Sequence, residues 1–109
     1  MAYQSILTDT PESLIKRYHV VLSQNGVDVD QLILFGSYAK GTARYDSDVD
    51  VCVVSSAFGK NRFDDMVRLK KLTIAVDTII EPYPFHQDDL SDRYNPLAAE
   101  IRSFGKRII

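Results

Sequence analysis

The chain has 109 residues, 45% hydrophobic and 26% charged, the balance of one ordinary globular domain spanning residues 1–109. Its formal net charge of -2 supplies no global basic field, so a nucleic-acid partner is not expected. The single cysteine, Cys52, excludes an internal disulfide framework and any multi-cysteine metal site.

No apolar run reaches the roughly 18 residues of a membrane span. The start, MAYQSILTDTPES, lacks a basic-then-apolar signal pattern, so the expectation is a soluble cytoplasmic protein. Thr10-Pro11-Glu12 combines a capping hydroxyl, a proline at the first helical position and an acid near the positive helix end. Leu14, Ile15, Tyr18, Val21 and Leu22 then recur at helical spacing until Asn25-Gly26. Leu32 to Phe35 predicts a short apolar strand, Tyr38 to Gly41 at most a helical turn, and Val49 to Val54 a second strand. A loop over 55–60 leads to a helix over 62–72, with Phe63, Met66, Val67 and Leu69 expected inward. "TIAVDTIIEPYPF" predicts a third strand ended by Pro82 and Pro84. Asp88 or Asp89 starts a short turn, and Asn95-Pro96 opens a last helix ending near Gly105. The order α-β-(turn)-β-α-β-α predicts an α/β (α+β) fold, a small mixed sheet with helices packed on one side.

The segment joining the first two strands, GSYAKGTARYDSDVD, suits folding poorly and therefore needs a chemical reason. On a strand, Asp48 and Asp50 share one face while Val49, Val51 and Val53 take the other. Two carboxylates at that spacing drive one pKa upward unless a cation neutralises them. A hard divalent ion with oxygen ligands, Mg²⁺ above all, does so. Two such ions bridge attacking and leaving oxygens in phosphoryl transfer. Gly36 lets backbone approach a bulky anion, Ser37 adds a hydroxyl donor and Lys40 a positive charge. Alone, a Gly-Ser turn or an Asp-x-Asp fragment is common; together they suggest a nucleoside triphosphate site.

Gly36-Ser37, ten residues, then Asp48-Val49-Asp50 resembles the signature of the DNA polymerase beta nucleotidyltransferase superfamily. The fuller GSYAKGTARYDSDVDVCVV is similar to the minimal nucleotidyltransferases, including the MNT antitoxins that pair with HEPN toxins. The resemblance covers the whole chain. It implies Gly36 and Ser37 on the triphosphate, with Asp48 and Asp50 ligating Mg²⁺, two ions, and ATP as substrate. Lys40 stands where arginine is commoner, keeping the charge but losing the bidentate fork.

The superfamily also uses a third carboxylate on a later strand, and two residues compete for it. Asp77 sits among apolar residues of the expected strand, where an acid costs burial energy unless paired or metal-bound; Glu81 lies four residues on, on the same face. Asp77 is the chosen third metal ligand and the carboxylate that helps deprotonate the acceptor hydroxyl, with Glu81 the alternative. Cys52 reads as a small core residue, and His19 and His86 lack partners at ligand spacing. Tyr83 and Phe85, among prolines, read as covers over the end of the core. Lys60, Arg62, Arg68, Lys70 and Lys71 make one helix basic, which reads as a solvated face. Lys106-Arg107 suits a helix end.

The reading is an Mg²⁺-dependent nucleotidyltransferase moving AMP from ATP to a hydroxyl, with Asp48, Asp50 and Asp77 as catalytic and metal residues and Gly36, Ser37 and Lys40 on the nucleotide. The resemblance implies that the acceptor is a tyrosine of a partner HEPN toxin, which makes the chain an antitoxin. A chain of this length would take its acceptor from a partner; homo-oligomerisation is compatible with the sequence. The rival reading is a non-enzymatic antitoxin acting by occlusion. A DNA-repair polymerase is a poorer third, for want of length and basic charge.

Overall fold

A computed structural model of the chain describes residues 7–109; the first six residues of the N-terminal segment, on which part of the signal-pattern reading rests, lie outside the described residues. Helix α1 (Pro11–Gln24) starts as its sequence dictates, with the Ser13 N–H donating to Thr10 Oγ1 at 3.2 Å and Pro11 in the first turn. It buries Leu14, Ile15, Tyr18 and Leu22. Strand β1 (Gln31–Phe35) leads into the single turn α2 (Ser37–Lys40), and β2 (Val49–Val54) follows. Helix α3 (Arg62–Leu72), strand β3 (Ile80–Phe85), the short α4 (Gln87–Leu90), helix α5 (Pro96–Phe104) and a two-residue strand β4 (Lys106–Arg107) complete the order.

The four strands form one mixed sheet in the order β3-β2-β1-β4. Strand β1 runs antiparallel to β2 and β4, while β2 and β3 are parallel. The mixed α/β expectation holds, but the placement of helices on one side does not. Leu32, Leu34, Val49, Val51 and Val53 pack with α1 and with Leu69 of α3 on one face. Ile33, Phe35, Cys52, Val54 and Phe85 pack with Ala98 and Ile101 of α5 on the other. The strands bury both faces, so a second layer of helix is required.

Three further expectations change. Residues 73–79 are not strand: Thr73–Ala75 is a 3₁₀ turn, and Asp77 accepts the Ile79 N–H at 3.0 Å, an Asx turn that delays pairing until β3. The prolines do not end that strand but lie within it, because β3 is an edge. The carbonyls of Ile79 and Phe85 face β2, accepting from Val49 and Ser55, so the even positions, Pro82 and Pro84 among them, turn their nitrogens to the free edge. Phe63 is 76% exposed instead of inward; α3 presents Leu69 to the core, fixed by the fully buried Tyr18 hydroxyl, which donates to the Leu69 carbonyl at 2.7 Å.

At the C-terminus Lys106 and Arg107 pair with Leu34 and Ile33 and do not serve a helix end. The turn into β4 needs Gly105, since a β-carbon there would meet the Ile101 carbonyl oxygen at 2.4 Å and Ile33 Cγ2 at 2.7 Å. No helix among the described residues is long and apolar enough to cross a membrane.

Candidate active site

The sheet register assembles the site. Phe35 is opposite Asp50 across β1 and β2, and Asp50 is opposite Glu81 across β2 and β3. The turn that follows Phe35 therefore lies beside Asp50, and Glu81 flanks Asp50 on the other side. All three positions share the face that α5 covers. Asp48 and, from α5, Glu100 add two more acids within electrostatic reach of Asp50.

Gly36 is buried and caps α2 with φ 76°, a left-handed conformation that favours glycine. A β-carbon at this position would stand 2.2 Å from Asp50 Oδ2. The carboxylate is thus packed against the backbone of the turn, which only a glycine permits. Ser37 opens α2 half-buried, at the end of the turn that carries partial positive charge. Gly41, with φ 75°, closes it, its N–H donating to the Ser37 carbonyl.

Asp50 is half-buried and Asp48 exposed. Burial first, then the charges of Asp48, Glu81 and Glu100, push the Asp50 carboxyl up to about 6. The same acids, after burial, raise the Tyr83 phenol. Tyr83 lies two residues beyond Glu81 on the same face, its ring edge-on to Phe35 at 5.1 Å. It rims the acidic cluster, whereas Phe85 covers the core as expected. Cys52 is buried, which pushes its thiol up to about 12 and suits a packing role.

The two lysines near the cluster are both paired. Lys40 Nζ stands 2.9 Å from Glu100 Oε1 and 5.4 Å from the centre of the Phe104 ring. Lys70 of α3 donates to Glu81. Asp77 lies before β3: beyond the Ile79 N–H, its carboxylate accepts from the Thr8 hydroxyl at 3.0 Å, tying the segment before α1 to the turn before β3. The premise that placed it in the site, an acid inside a strand, is corrected by the Asx turn. His86 caps α4, accepting from the Asp88 N–H at 3.2 Å.

Sequence reasoning missed Glu100 and the placement of Tyr83. Spacing two residues beyond Glu81 was a usable signal for Tyr83; for Glu100 none existed, because its position depends on how Ala98 and Ile101 seat α5. Among the described residues no three His, Cys, Asp or Glu side chains converge closely enough to enclose an ion. The donor chemistry nevertheless fits a hard divalent cation: oxygen ligands only, crowded enough that Asp50 holds its proton unusually well.

The nucleotidyltransferase domain family matches residues 15–106. A "Putative protein adenylyltransferase" of Methanocaldococcus jannaschii is 51% identical over 39 residues, 36% of this chain and 26% of that protein. The matched stretch thus spans about a quarter of the curated relative. Among solved structures, a toxin–antitoxin crystallised with AMP-PNP superposes with a TM-score of 0.63 at 25% identity, over 90% of this chain and 72% of that one. A complex of tri-AMPylated Shewanella oneidensis HEPN toxin with MNT antitoxin has a TM-score of 0.57 at 18% identity, over 92% and 72% of the two chains, a likeness of fold.

Proposed function

The chain belongs to the nucleotidyltransferase domain family, and we propose that it transfers AMP from ATP to a hydroxyl of a partner protein, a tyrosine of a HEPN-type toxin, as the antitoxin. The observation that carries this reading is the register that lines up the Gly36 turn, Asp50 and Glu81 at one edge of the sheet. The likeness to a toxin–antitoxin holding AMP-PNP supports ATP as the donor, and the AMPylated HEPN complex supports the acceptor. Residues 1–109 act as a single domain in this reading.

Asp48, Asp50 and Glu81 would hold Mg²⁺. Glu81 replaces Asp77 as third carboxylate, because it is opposite Asp50 in register while Asp77 is spent on an Asx turn. When bound, the ion would neutralise charge on the triphosphate and polarise the α-phosphoryl group. Gly36 leaves room for the Asp50 carboxylate against the backbone of the turn that would face the triphosphate, and the Ser37 hydroxyl would donate to phosphate. Lys40, released from Glu100, supplies a point charge for the β- and γ-phosphates. The acceptor oxygen attacks the α-phosphorus, forming one P–O bond as the bond to the bridging oxygen breaks and pyrophosphate leaves. Glu81 accepts the hydroxyl proton.

The test uses ATP labelled at either the α- or the γ-phosphorus, with Mg²⁺ and a candidate HEPN-type partner protein. Nucleotidyl transfer labels the partner from α-labelled ATP only. Labelling from the γ-position would mean phosphoryl transfer and overturn the reading.

A further inference from the structure

Lys70 sits at an informative place. It is rooted on α3 next to Leu69, the fully buried residue whose carbonyl accepts from Tyr18, so its backbone is fixed. Its ammonium donates to Glu81, the carboxylate that flanks Asp50 across the parallel pair of strands. The Glu81 side chain is the less exposed partner, 30% against 48% for Lys70. Lys70 and Glu81 also line an open groove of about 570 Å³, together with Met66, Val67, Ile74 and Thr78. With its side chain 48% exposed, Lys70 can turn its ammonium out to water.

We propose that Lys70 is a built-in substitute for the divalent ion: its ammonium neutralises Glu81 in the ion-free protein, draws that carboxylate toward α3, and is displaced outward to solvent when a metal binds. The inference rests on the reading of Glu81 as a metal-site carboxylate and adds a residue that lowers metal affinity instead of raising it. Four acids, Asp48, Asp50, Glu81 and Glu100, crowd this edge, and an internal cation relieves their repulsion at little cost in affinity. A partly exposed ion pair of this kind is weak, so its removal should alter competition modestly, by about threefold to tenfold. Lys70 is on this account a positioning residue and touches no substrate.

The experiment measures Mn²⁺ binding, by electron paramagnetic resonance of the free ion, for the wild type and for Lys70→Met, Lys70→Arg and Lys71→Met. Asp48→Asn/Asp50→Asn serves as the site-less control. Lys70→Met should bind Mn²⁺ about three to ten times more tightly. Lys70→Arg should match the wild type, because it keeps the cation. Lys71→Met, which removes the same charge one residue away from the pair, should change affinity less than about twofold. Lys70→Gln serves as a second replacement should the methionine variant fail to fold. Equal or weaker Mn²⁺ binding by Lys70→Met or Lys70→Gln would overturn the substitute role while leaving the metal site standing. Wild-type binding no tighter than that of the control would overturn the metal-site reading and the inference with it.

Discussion

Gly36 and Asp50 are packed so closely that a β-carbon on the first would stand 2.2 Å from a carboxylate oxygen of the second. The glycine thus serves two needs, a left-handed φ of 76° and a place for the acid. Gly36→Ala should therefore destabilise the protein by more than the ~1–2 kcal/mol of left-handed strain alone, and should lower ATP affinity by shifting Asp50. In a double-mutant cycle, Asp50→Ala should recover the clash component but not the strain, giving a coupling measurable by denaturant melts. Additive losses would mean that the two residues do not touch.

The pH dependence of the ion-free protein follows from the same carboxyl. Asp50 is held at about 6 by burial and by Asp48, Glu81 and Glu100, above the roughly 3.9 of an unfolded aspartate. The folded state thus binds this proton more tightly. The contribution to stability is fully present below about pH 4 and is lost as pH rises through about 6. In EDTA, Asp50→Asn should remove this component, so its melting temperature should exceed the wild type's most at pH values above about 7 and converge toward it near pH 4. A constant gap across the range would contradict a raised Asp50.

On the proposed mechanism Glu81 belongs to the site and Asp77 to the scaffold. Removing a metal-bound carboxylate takes several kcal/mol from the transition state, so Glu81→Gln should slow transfer by at least ~10²-fold. Asp77→Ala, which removes the acceptor of the Ile79 N–H, should leave the transfer rate within about threefold while lowering stability by ~1 kcal/mol, the worth of a lost turn bond. The reverse ordering in single-turnover assays would return the third-carboxylate role to Asp77.

The contrast between these two acids marks how far the sequence was legible. The glycine turn, Asp48, Asp50 and the valine face were readable because spacing alone carries them, as were the starts of α1 and α5, each set by a capping side chain and a proline. Asp77 was misplaced because its apolar neighbours mimic a strand, while its carboxylate bonding the Ile79 N–H is a local event that hydrophobic pattern does not report. The prolines at 82 and 84 were read as a strand end because edge position, which makes them acceptable, is a property of the whole sheet. Strand β4 is two residues long and exists only because β1 offers it an edge. Glu100 and Lys70 reach the site from helices whose orientation is set by buried partners elsewhere.

Lys40 is held by Glu100 at 2.9 Å and by the face of Phe104, and on the proposed mechanism leaves both to meet the triphosphate. Lys40→Met should weaken ATP binding by about tenfold or more, the scale of a charged hydrogen bond, while costing at most ~1 kcal/mol of stability, the worth of an exposed pair. Calorimetry with a slowly hydrolysed ATP analogue reads the first and thermal melts the second. Unchanged affinity would leave Lys40 as part of the α2–α5 contact alone.

The central claim is that the carboxylate edge catalyses transfer to a partner and does not merely shield it. The deciding measurement is intact-mass analysis of a co-expressed HEPN partner, alongside cell survival, with the wild type and with Asp48→Asn/Asp50→Asn. The double variant should fold with a melting temperature equal to or above the wild type's, because two crowded charges are gone. The account predicts that the wild type adds AMP to the partner and protects cells, while the variant still binds the partner, adds no mass and fails to protect. Protection by the variant equal to that of the wild type would contradict it and leave occlusion as the function.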